Sequence, residues 1–588
     1  MLEDILLQVK KPAQYIGGEW NASKKDFDKA NIKFGLCFPD LYEVGMSNLG
    51  VRIIYGLLNS IPDVCCERIF SYDSDMENIL RNSNQQAFSL ESRRALREFD
   101  ILGFSLGSEL NYTNALNILD MARIPLKSAL RDNSYPLIIA GGPAVLNPEP
   151  IYEFFDLFVI GEAEEAILEI IDVFRKHKQD YKTGRIKKEE LLLILSQIEG
   201  IYVPSFYEVF YDDNGKIQDF KPKIKDAPLK IKKRFIKDLN SSFFPESWVV
   251  PYIQIVHDRI TLEIMRGCPN RCRFCQARAQ YYPLRERSLE RILNLAARAY
   301  QRSGYEEISL AGLSVSEYSK IQELISGLIS AFSDKKVGIS LPSIKAEKKS
   351  GALSSLIAKI RKTGLTFAPE AGTRRLRDIL AKDFDEEIFF RALEEAYLSG
   401  YQHVKLYFMI GLPGEEEKDL DGIIELASRV SELRRKVAKY PAQVNISINT
   451  LIPKPHTPFQ WLKMEDLDNV RTKQAYLRKR LKNKRLNLSF HNSHMGFIEG
   501  ALSRGDRRLS EVILSAFNKG ARFDAWGNYF KFDIWMQAFG EAKIDPHFYL
   551  KERAPEEILP WDFLDVGIQK ELLVSEFNLL DARFIRKK

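Results

Sequence analysis

The chain has 588 residues, which calls for several domains, because a single hydrophobic core rarely grows beyond about 250–300 residues. Hydrophobic residues make up 45% and charged residues 28%, as in ordinary globular proteins, and the net charge of +6 permits contact with nucleic acid without indicating it. No apolar run reaches about eighteen residues and the N-terminus lacks a signal peptide's basic-then-apolar order, so we expect a cytoplasmic protein with no membrane partner.

Residues 1–31 are polar and are predicted to form an N-terminal arm. Over residues 32–180, short apolar runs alternate with amphipathic stretches, a pattern that predicts βαβ units in a doubly wound parallel sheet. The predicted strands are Ile32–Phe38, Cys66–Phe70, Ile101–Ser105, Leu137–Ala140 and Leu157–Ile160. The predicted helices lie near Leu49–Leu58, Ser74–Asn82, Tyr112–Ala122 and Glu164–Lys176.

Ligands bind such a sheet beyond the carboxyl ends of its strands, and the loops predicted there are distinctive. The first strand runs into D-L-Y-E-V-G, the fourth into a Gly-Gly pair and the fifth into Gly-Glu. Glycines in these loops allow the backbone to approach a bulky ligand closely, although a tight turn alone would also explain them. The candidate ligand contacts are Asp40, Tyr42, Gly45, Gly141, Gly142, Gly161 and Glu162. No G-x-G-x-x-G occurs here, which disfavours a dinucleotide.

Residues 181–250 are predicted to form a connector between two larger units. Lys182–Gln197 has a helical pattern, and Ile201–Phe210 followed by Asp212–Gly215 predicts a hairpin. We interpret the lysine-rich run Lys221–Lys237 as a solvated face rather than an arm that binds RNA.

A second βα series occupies residues 251–464 and predicts a partial (β/α)6 barrel, whose functional residues belong at the carboxyl ends of the strands. The predicted strands are Ile260–Met265, Glu307–Leu310, Val337–Leu341, Leu365–Ala368, Val404–Phe408 and Val444–Asn449. The predicted helices are Ser288–Ser303, Glu317–Phe332, Ala352–Lys362, Glu386–Ser399 and Glu416–Leu433.

Three cysteines, Cys268, Cys272 and Cys275, follow the first of these strands with the spacing C-x3-C-x2-C. Thiolates this close in sequence can hold three irons of a [4Fe–4S] cube, and without a fourth cysteine nearby one iron stays open to a non-protein ligand. A zinc knuckle would need a fourth Cys or His close by, and a disulfide would leave one cysteine over.

This motif, with Phe274 before its last cysteine, resembles that of the radical S-adenosylmethionine (radical SAM) superfamily. The resemblance implies that the open iron binds the amino and carboxylate groups of S-adenosylmethionine. One-electron reduction, by a donor such as flavodoxin or ferredoxin, then cleaves it to a 5′-deoxyadenosyl radical.

The same resemblance implies which loops contact S-adenosylmethionine. Backbone carbonyls after the second barrel strand receive the amino group, and two serines after the third suit the ribose hydroxyls. After the fourth strand, a glutamate accepts ribose or amino protons and an arginine pairs with the carboxylate, unless the arginines form surface ion pairs. The positions are Gly312, Ser340, Ser343, Glu370, Arg374 and Arg375.

In the first domain, the stretches 140–144, 147–150 and 159–162 resemble the cobalamin-binding domain fused to many radical SAM enzymes. The resemblance implies that the candidate ligand contacts of this domain hold cobalamin. Tyr42 stands where related domains carry a cobalt-binding histidine, and a phenol of pKa ~10 is a poor ligand for cobalt. Two alternatives follow. Either cobalamin binds without a protein ligand on its lower face, or this domain has lost the ability to bind cobalamin.

From residue 465 to 588 the strand signal fades, and a helical cap is predicted, with a helix at Leu509–Lys519. The whole chain resembles cobalamin-binding radical SAM proteins of unknown substrate, which implies methyl transfer to an unactivated carbon.

Two alternatives to this function stay open. One is a methylthiotransferase-like modifier of RNA with a second cluster on Cys37, Cys65 and Cys66, which otherwise serve as small buried apolar residues. The other is a sensor that binds the cluster and cobalamin without making a radical.

Overall fold

A six-stranded sheet forms the first half of the computed structural model, which describes residues 2–340 and 365–580. The strands are β1 (Ile32–Phe38), β2 (Val64–Phe70), β3 (Ile101–Ser105), β4 (Leu137–Gly141), β5 (Leu157–Val159) and β6 (Ile201–Tyr202). Their spatial order is β2-β1-β3-β4-β5-β6, and the first five pair in parallel. The predicted doubly wound parallel sheet is therefore confirmed. β6 is antiparallel and joins this sheet, whereas the sequence had placed Ile201 in a hairpin.

Helices cover both faces of this sheet, which is why its strands are nearly continuous apolar runs. They are Leu2–Leu6, Tyr42–Gly45, Leu49–Ser60, Ser74–Asn82, Tyr112–Met121, Ala163–Lys182 and Lys188–Leu195. Asn48 caps the third of them, its side chain accepting a hydrogen bond from the Val51 amide at 3.1 Å. This cap fixes the start of the helix directly beyond the β1 loop.

The connector contains the predicted hairpin, but the hairpin starts later than expected. Its strands are β7 (Tyr207–Tyr211) and β8 (Ile217–Pro222), which pair antiparallel. β9 (Ile231–Lys232) then pairs in parallel with residues Leu564–Asp565 near the C-terminus. The connector is thus joined to the C-terminal region.

Two parallel sheets form the barrel. The strands of this part are β10 (Ile260–Glu263), β11 (Met265–Arg266), β12 (Arg285–Glu286), β13 (Glu307–Ala311), β14 (Gly338–Ser340), β15 (Leu365–Glu370), β16 (His403–Ile410), β17 (Gln443–Thr450) and β18 (Leu486–Phe490). One sheet has the order β10-β13-β14 and the other β15-β16-β17-β18. Leu310 of the first and Leu406 of the second belong to one buried cluster, so the two sheets enclose a common core.

All six predicted barrel strands are present, and β18 is an additional parallel strand that the sequence analysis missed. The helices of this part are Ala277–Gln280, Leu289–Ser303, Ile321–Phe332, Arg374–Ile379, Glu386–Leu398 and Glu417–Ala438. The predicted helix Ala352–Lys362 and the candidate Ser343 lie outside the described residues.

The C-terminal region is mainly helical, as predicted. Its helices are Leu467–Arg480, Ser493–Ser503, Leu509–Asn518, Phe532–Glu541, His547–Leu550 and Lys570–Leu580, and its last strand is β19 (Leu564–Asp565). Val512 and Trp535 share one buried cluster with Phe104 of the first sheet. The Asn147 amide donates to the carbonyls of Ser503 (3.1 Å) and Gly505 (2.8 Å). These helices therefore pack on the first domain.

None of the helices in the described part of the chain is both long enough and apolar enough to cross a membrane.

Candidate active site

The three cysteines lie on a half-buried loop at the carboxyl end of β10 and β11. Gly267 turns the chain into this loop with φ +92, and an ideal Cβ there would lie 2.7 Å from Leu284 Cα, so the position requires glycine. The Asn270 amide donates to Cys268 Sγ at 3.7 Å and to Glu317 Oε2 at 2.6 Å. A side chain within the loop thus orients the first cysteine.

The donor set of this loop fits an iron–sulfur cluster. Burial raises the pKa of the Cys275 thiol, although the backbone amides of Arg278 and Ala277 lower it, and the charges of Cys268 and Glu370 add to the rise. Among the described residues, no three His, Cys, Asp or Glu side chains converge closely enough to hold one metal ion. A four-iron cluster instead binds each thiolate at a different iron, and three separate thiols on one loop meet that need.

Three of the predicted S-adenosylmethionine contacts lie at the carboxyl ends of neighbouring barrel strands. Gly312 follows β13, and an ideal Cβ there would come within 2.7 Å of Met265 Cγ. Ser340 is buried at the end of β14. Glu370 ends β15 in the left-handed region, with φ +67, and its carboxylate lies 3.3 Å from Lys382 Nζ. This conformation is unusual for a glutamate.

The two predicted arginines differ in their surroundings. Arg375 pairs with the buried Asp419 and donates to the Gly414 carbonyl at 2.8 Å. The guanidinium of Arg375 is therefore paired within the chain, as in the alternative interpretation in which these arginines form ion pairs instead of binding S-adenosylmethionine. Arg374 is exposed and forms no ion pair within the described ranges.

The C-terminal helix Lys570–Leu580 covers the cysteine loop, a contact that the sequence analysis missed. Arg278, three residues after the last cysteine, pairs with Glu576 of this helix at 3.0 Å. Phe274 and Phe577 pack against one apolar cluster that contains Leu580. Nothing in the sequence links these segments, because they are about three hundred residues apart.

Lys233 of the connector holds the other side of the loop. Its Nζ donates to the carbonyls of Ala279 (2.5 Å), Gln280 (3.3 Å) and Tyr282 (2.9 Å). Burial lowers the pKa of Lys233 to about 8. The short helix Ala277–Gln280 is thereby fixed from the connector as well as from the C-terminus.

A cavity of about 580 Å³ lies between the first sheet and the barrel. Four of the predicted loop residues line it, namely Gly141, Gly142, Gly161 and Glu162. From the barrel, Gly267 and Gly312 complete the wall, so the cavity reaches the residue next to Cys268. Its deep part is apolar and runs between the sheet and two of its helices, lined by Phe34, Ile53, Gly103, Ile139 and Ile167.

The other three predicted loop residues do not line this cavity. Asp40 accepts a hydrogen bond from Trp526 Nε1 at 2.9 Å, and burial raises the pKa of its carboxyl. Tyr42 is 2% exposed and donates to Glu19 at 2.7 Å. An ideal Cβ on Gly45 would meet the Phe70 ring at 2.2 Å. These residues pack the N-terminal arm and the C-terminal region onto the sheet.

Charged residues fix the wall of the cavity where the two domains meet. Arg266 pairs with Glu162 (3.0 Å) and Glu164 (2.8 Å) of the first domain and with Glu263 (2.8 Å) of the barrel. Arg285 adds a second pair with Glu162 at 2.8 Å. Although burial raises it, the pKa of Glu162 is held below its ordinary value by Arg285 and Arg266. Sequence reasoning found Glu162 but not its partners.

The three remaining cysteines form no site. Cys37 lies in β1, and Cys65 and Cys66 lie in β2, all of them buried in the sheet. Burial raises the pKa of Cys37 and Cys66 well above the ordinary thiol value. Cys37 and Cys66 are packed as small apolar residues, and Cys65 donates a hydrogen bond to Glu67 at 3.8 Å.

Comparison with known proteins identifies the superfamily of this chain. A family profile described as radical SAM proteins, N-terminal, matches residues 50–204, and the profile of the radical SAM superfamily matches residues 262–427. The uncharacterized protein MJ0966 of Methanocaldococcus jannaschii is 31% identical over 483 residues, which cover 81% of this chain and 90% of that protein. MJ1620 of the same organism is 22% identical over 437 residues, 66% of this chain and 74% of that protein.

Among solved structures, the radical S-adenosylmethionine methyltransferase TsrM from Kitasatospora setae, with cobalamin and a [4Fe–4S] cluster bound, has a TM-score of 0.52 at 10% identity. The match covers 87% of this chain and 99% of that chain, and shows a common fold. The chain belongs to the radical SAM superfamily. Its cofactors are accordingly a [4Fe–4S] cluster and S-adenosylmethionine, and Cys268, Cys272 and Cys275 match the family's cluster ligands.

Replacing one cysteine of the loop should remove the cluster. We expect Cys272→Ala to hold far fewer than four irons per chain and to form no 5′-deoxyadenosine, because a ligand of one iron is lost. Iron analysis and chromatography of the reaction measure both. Cys66→Ala is the matched control and should keep its iron, since Cys66 is buried in β2. Wild-type cleavage by Cys272→Ala would contradict the assignment.

The Arg278–Glu576 pair should protect the cluster. In Glu576→Gln the ion pair with the cysteine loop is weakened, so we expect cluster absorbance to bleach in air at least threefold faster than in the wild type. Glu571→Gln removes an exposed carboxylate from the same helix and should leave the rate unchanged. Equal bleaching rates in all three proteins would show that the helix does not shield the loop.

Proposed function

We propose that this protein is a cobalamin-dependent radical SAM methyltransferase that transfers a methyl group to an unactivated carbon. The observation that carries the proposal is the cavity between the domains. It connects the carboxyl edge of the first sheet, at Gly141 and Gly161, with Gly267 and Gly312 at the carboxyl edge of the barrel. A corrin in this cavity would lie beside the cysteine loop.

The shape of the cavity suits cobalamin. The apolar slot between the sheet and its helices can take a flat nucleotide base. At the sheet edge an ideal Cβ on Gly141 meets nothing closer than the Val159 carbonyl at 3.4 Å, so this position leaves room for the ring, whereas Gly142 and Gly161 turn tightly against the backbone of Leu106 and Arg234. The bound cofactors of TsrM, which shares the fold, support the same pair of cofactors here.

The wall supplies no histidine to cobalt, since none of the described residues that line the cavity is a histidine. Tyr42, at the position of the ligand in related domains, faces Glu19 instead. We therefore infer that cobalamin binds with a lower face that no histidine ligates.

When bound, the cluster and S-adenosylmethionine supply the radical that activates the substrate, and cobalamin supplies the methyl group. The chain's own residues hold and shield these groups. Cys268, Cys272 and Cys275 hold the cluster, and Arg266 fixes the wall between the two domains. Gln280 also lines the cavity.

The C-terminal region excludes water from this chemistry. The Phe274 and Phe577 side chains and the Arg278–Glu576 pair cover the outer side of the cysteine loop. A radical confined in this way is protected from side reactions with solvent. Electrons would come from a donor such as flavodoxin or ferredoxin.

Filling the cavity should remove the corrin and spare the cluster. We expect Gly141→Leu, reconstituted without oxygen with iron, sulfide and hydroxocobalamin, to lose at least four fifths of the corrin while keeping the iron content of the wild type. Gly540→Leu is the matched control, because an ideal Cβ there has nothing within 4 Å. Full corrin binding by Gly141→Leu would contradict this placement of cobalamin.

Installing a histidine at position 42 should not create a cobalt ligand. In Tyr42→His we expect no nitrogen splitting in the electron paramagnetic resonance (EPR) spectrum of cob(II)alamin, because the side chain faces Glu19. The variant Tyr42→Phe serves as the comparison for stability, because it removes only the hydroxyl; its free energy of unfolding should fall by roughly 1–3 kcal/mol. Nitrogen splitting that is present in Tyr42→His and absent from the wild type would mean that the β1 loop does approach cobalt.

A further inference from the structure

A second cavity, of about 630 Å³, lies away from the cysteine loop. It opens between the helix Leu49–Ser60 of the first domain, the connector segment 241–249 and the barrel helix Leu289–Ser303. Its volume is typical of sites for small organic ligands and far exceeds that of one inorganic ion. The proposed methyl-transfer chemistry does not use it.

The wall of this cavity carries an excess of positive charge. Arg52, Arg291 and Arg302 line it, and Glu246 is the carboxylate that lines it beside them. Glu246 is shared, with Arg302 at 3.4 Å and Arg291 at 3.9 Å. It also binds Arg298 at 2.9 Å, on the same helix but outside the wall. The single negative charge of Glu246 is therefore shared by Arg291, Arg298 and Arg302, and the wall keeps a net positive charge.

Arg68 also borders the cavity but is already neutralised. It pairs with Glu19 at 2.7 Å and with Glu91 at 2.6 Å. The positive charge available to a ligand is therefore that of Arg52, Arg291 and Arg302.

Arg52 is the deepest of these arginines, only 7% exposed. Its Nε and Nη1 donate to the carbonyls of Met46 (2.7 Å) and Val249 (3.0 Å), and its plane lies over the Trp248 ring at 4.8 Å. Within the described ranges, Nη2 is buried with no hydrogen-bond partner. A charged donor left in this state is costly, and a bound water or ligand would stabilise it.

Two polar groups lie beside Arg52. Burial lowers the pKa of Arg52, and the charge of the Tyr305 hydroxyl and its hydrogen bonding with Arg52 act to raise it, although the geometry of that contact falls short of a full hydrogen bond. Burial raises the pKa of Asp258 and the charge of Arg52 acts to lower it, but no ion pair joins the two residues in the described chain. At the mouth, Arg291 Nε is likewise buried without a partner.

We propose that this cavity binds an organic phosphate of mononucleotide size. Guanidinium groups bind phosphate through paired hydrogen bonds, and Arg291 and Arg302 at this wall share a single carboxylate. The rest of the wall includes the apolar side chains of Met46, Val51, Phe243 and Pro245, which suit the organic part of such a ligand. The site joins both domains, because its arginines come from a helix of each.

Calorimetry on the reconstituted full-length protein, saturated with S-adenosylhomocysteine to occupy the S-adenosylmethionine site, tests this proposal. The probes are AMP, GMP, CMP and UMP, with adenosine as the phosphate-free comparison. We expect at least one nucleotide to bind at one site per chain, its nucleoside to bind at least tenfold more weakly, and inorganic phosphate to compete with it.

The variants Arg291→Gln/Arg302→Gln and Arg298→Gln locate the site. The first removes two arginines of the wall and should weaken nucleotide binding at least tenfold, with thermal unfolding unchanged. Arg298→Gln removes a cation of the same helix that also binds Glu246, and should change the affinity less than twofold. Lack of binding by all four nucleotides, equal binding of nucleoside and nucleotide, or equal losses in the two variants would overturn the proposal.

Discussion

The arrangement of this protein depends on the ion pairs that Arg266 makes at the junction of its two domains. This buried guanidinium lies in the chain directly before Gly267, which opens the cysteine loop, and it binds Glu162 and Glu164 from the first domain. Burial lowers the pKa of Arg266, but the surrounding carboxylates, Glu263 first, raise it well above the ordinary value, so the charge is retained. Removing one partner of such a buried network is costly, which fixes one relative position of the domains.

That position brings the carboxyl edges of two parallel sheets to face each other. Ligands of open parallel sheets and of barrels both bind at these edges, so a single cavity serves two sites. The same segment that carries the cysteines forms part of the cavity wall, at Gly267 and Gln280. Lys233 of the connector and Glu576 of the C-terminal helix then hold this segment as well. The catalytic loop is thereby positioned by contacts from four separate regions.

The sequence predicted the fold well wherever buried strands leave continuous apolar runs. β1, β3 and the helix Ser74–Asn82 have the predicted bounds. β18 was missed because its residues, L-N-L-S-F, alternate between apolar and polar after a strongly basic stretch, as in a half-exposed strand. The cysteine motif was found because its ligands are adjacent in sequence. The carboxylates that pair with Arg266 and Arg278 were not found. They lie about one hundred and about three hundred residues away in the chain, and only the packing of the fold brings them to the arginines.

The central claim is that the corrin occupies the cavity beside the cysteine loop. The most direct test is EPR spectroscopy of anaerobically reconstituted protein that contains both cob(II)alamin and the reduced cluster. Because the cavity wall includes the residue next to Cys268, the account predicts spin–spin coupling between the two centres, and its loss in protein reconstituted without cobalamin. Two unperturbed, independent signals from a sample with full occupancy of both would contradict the account.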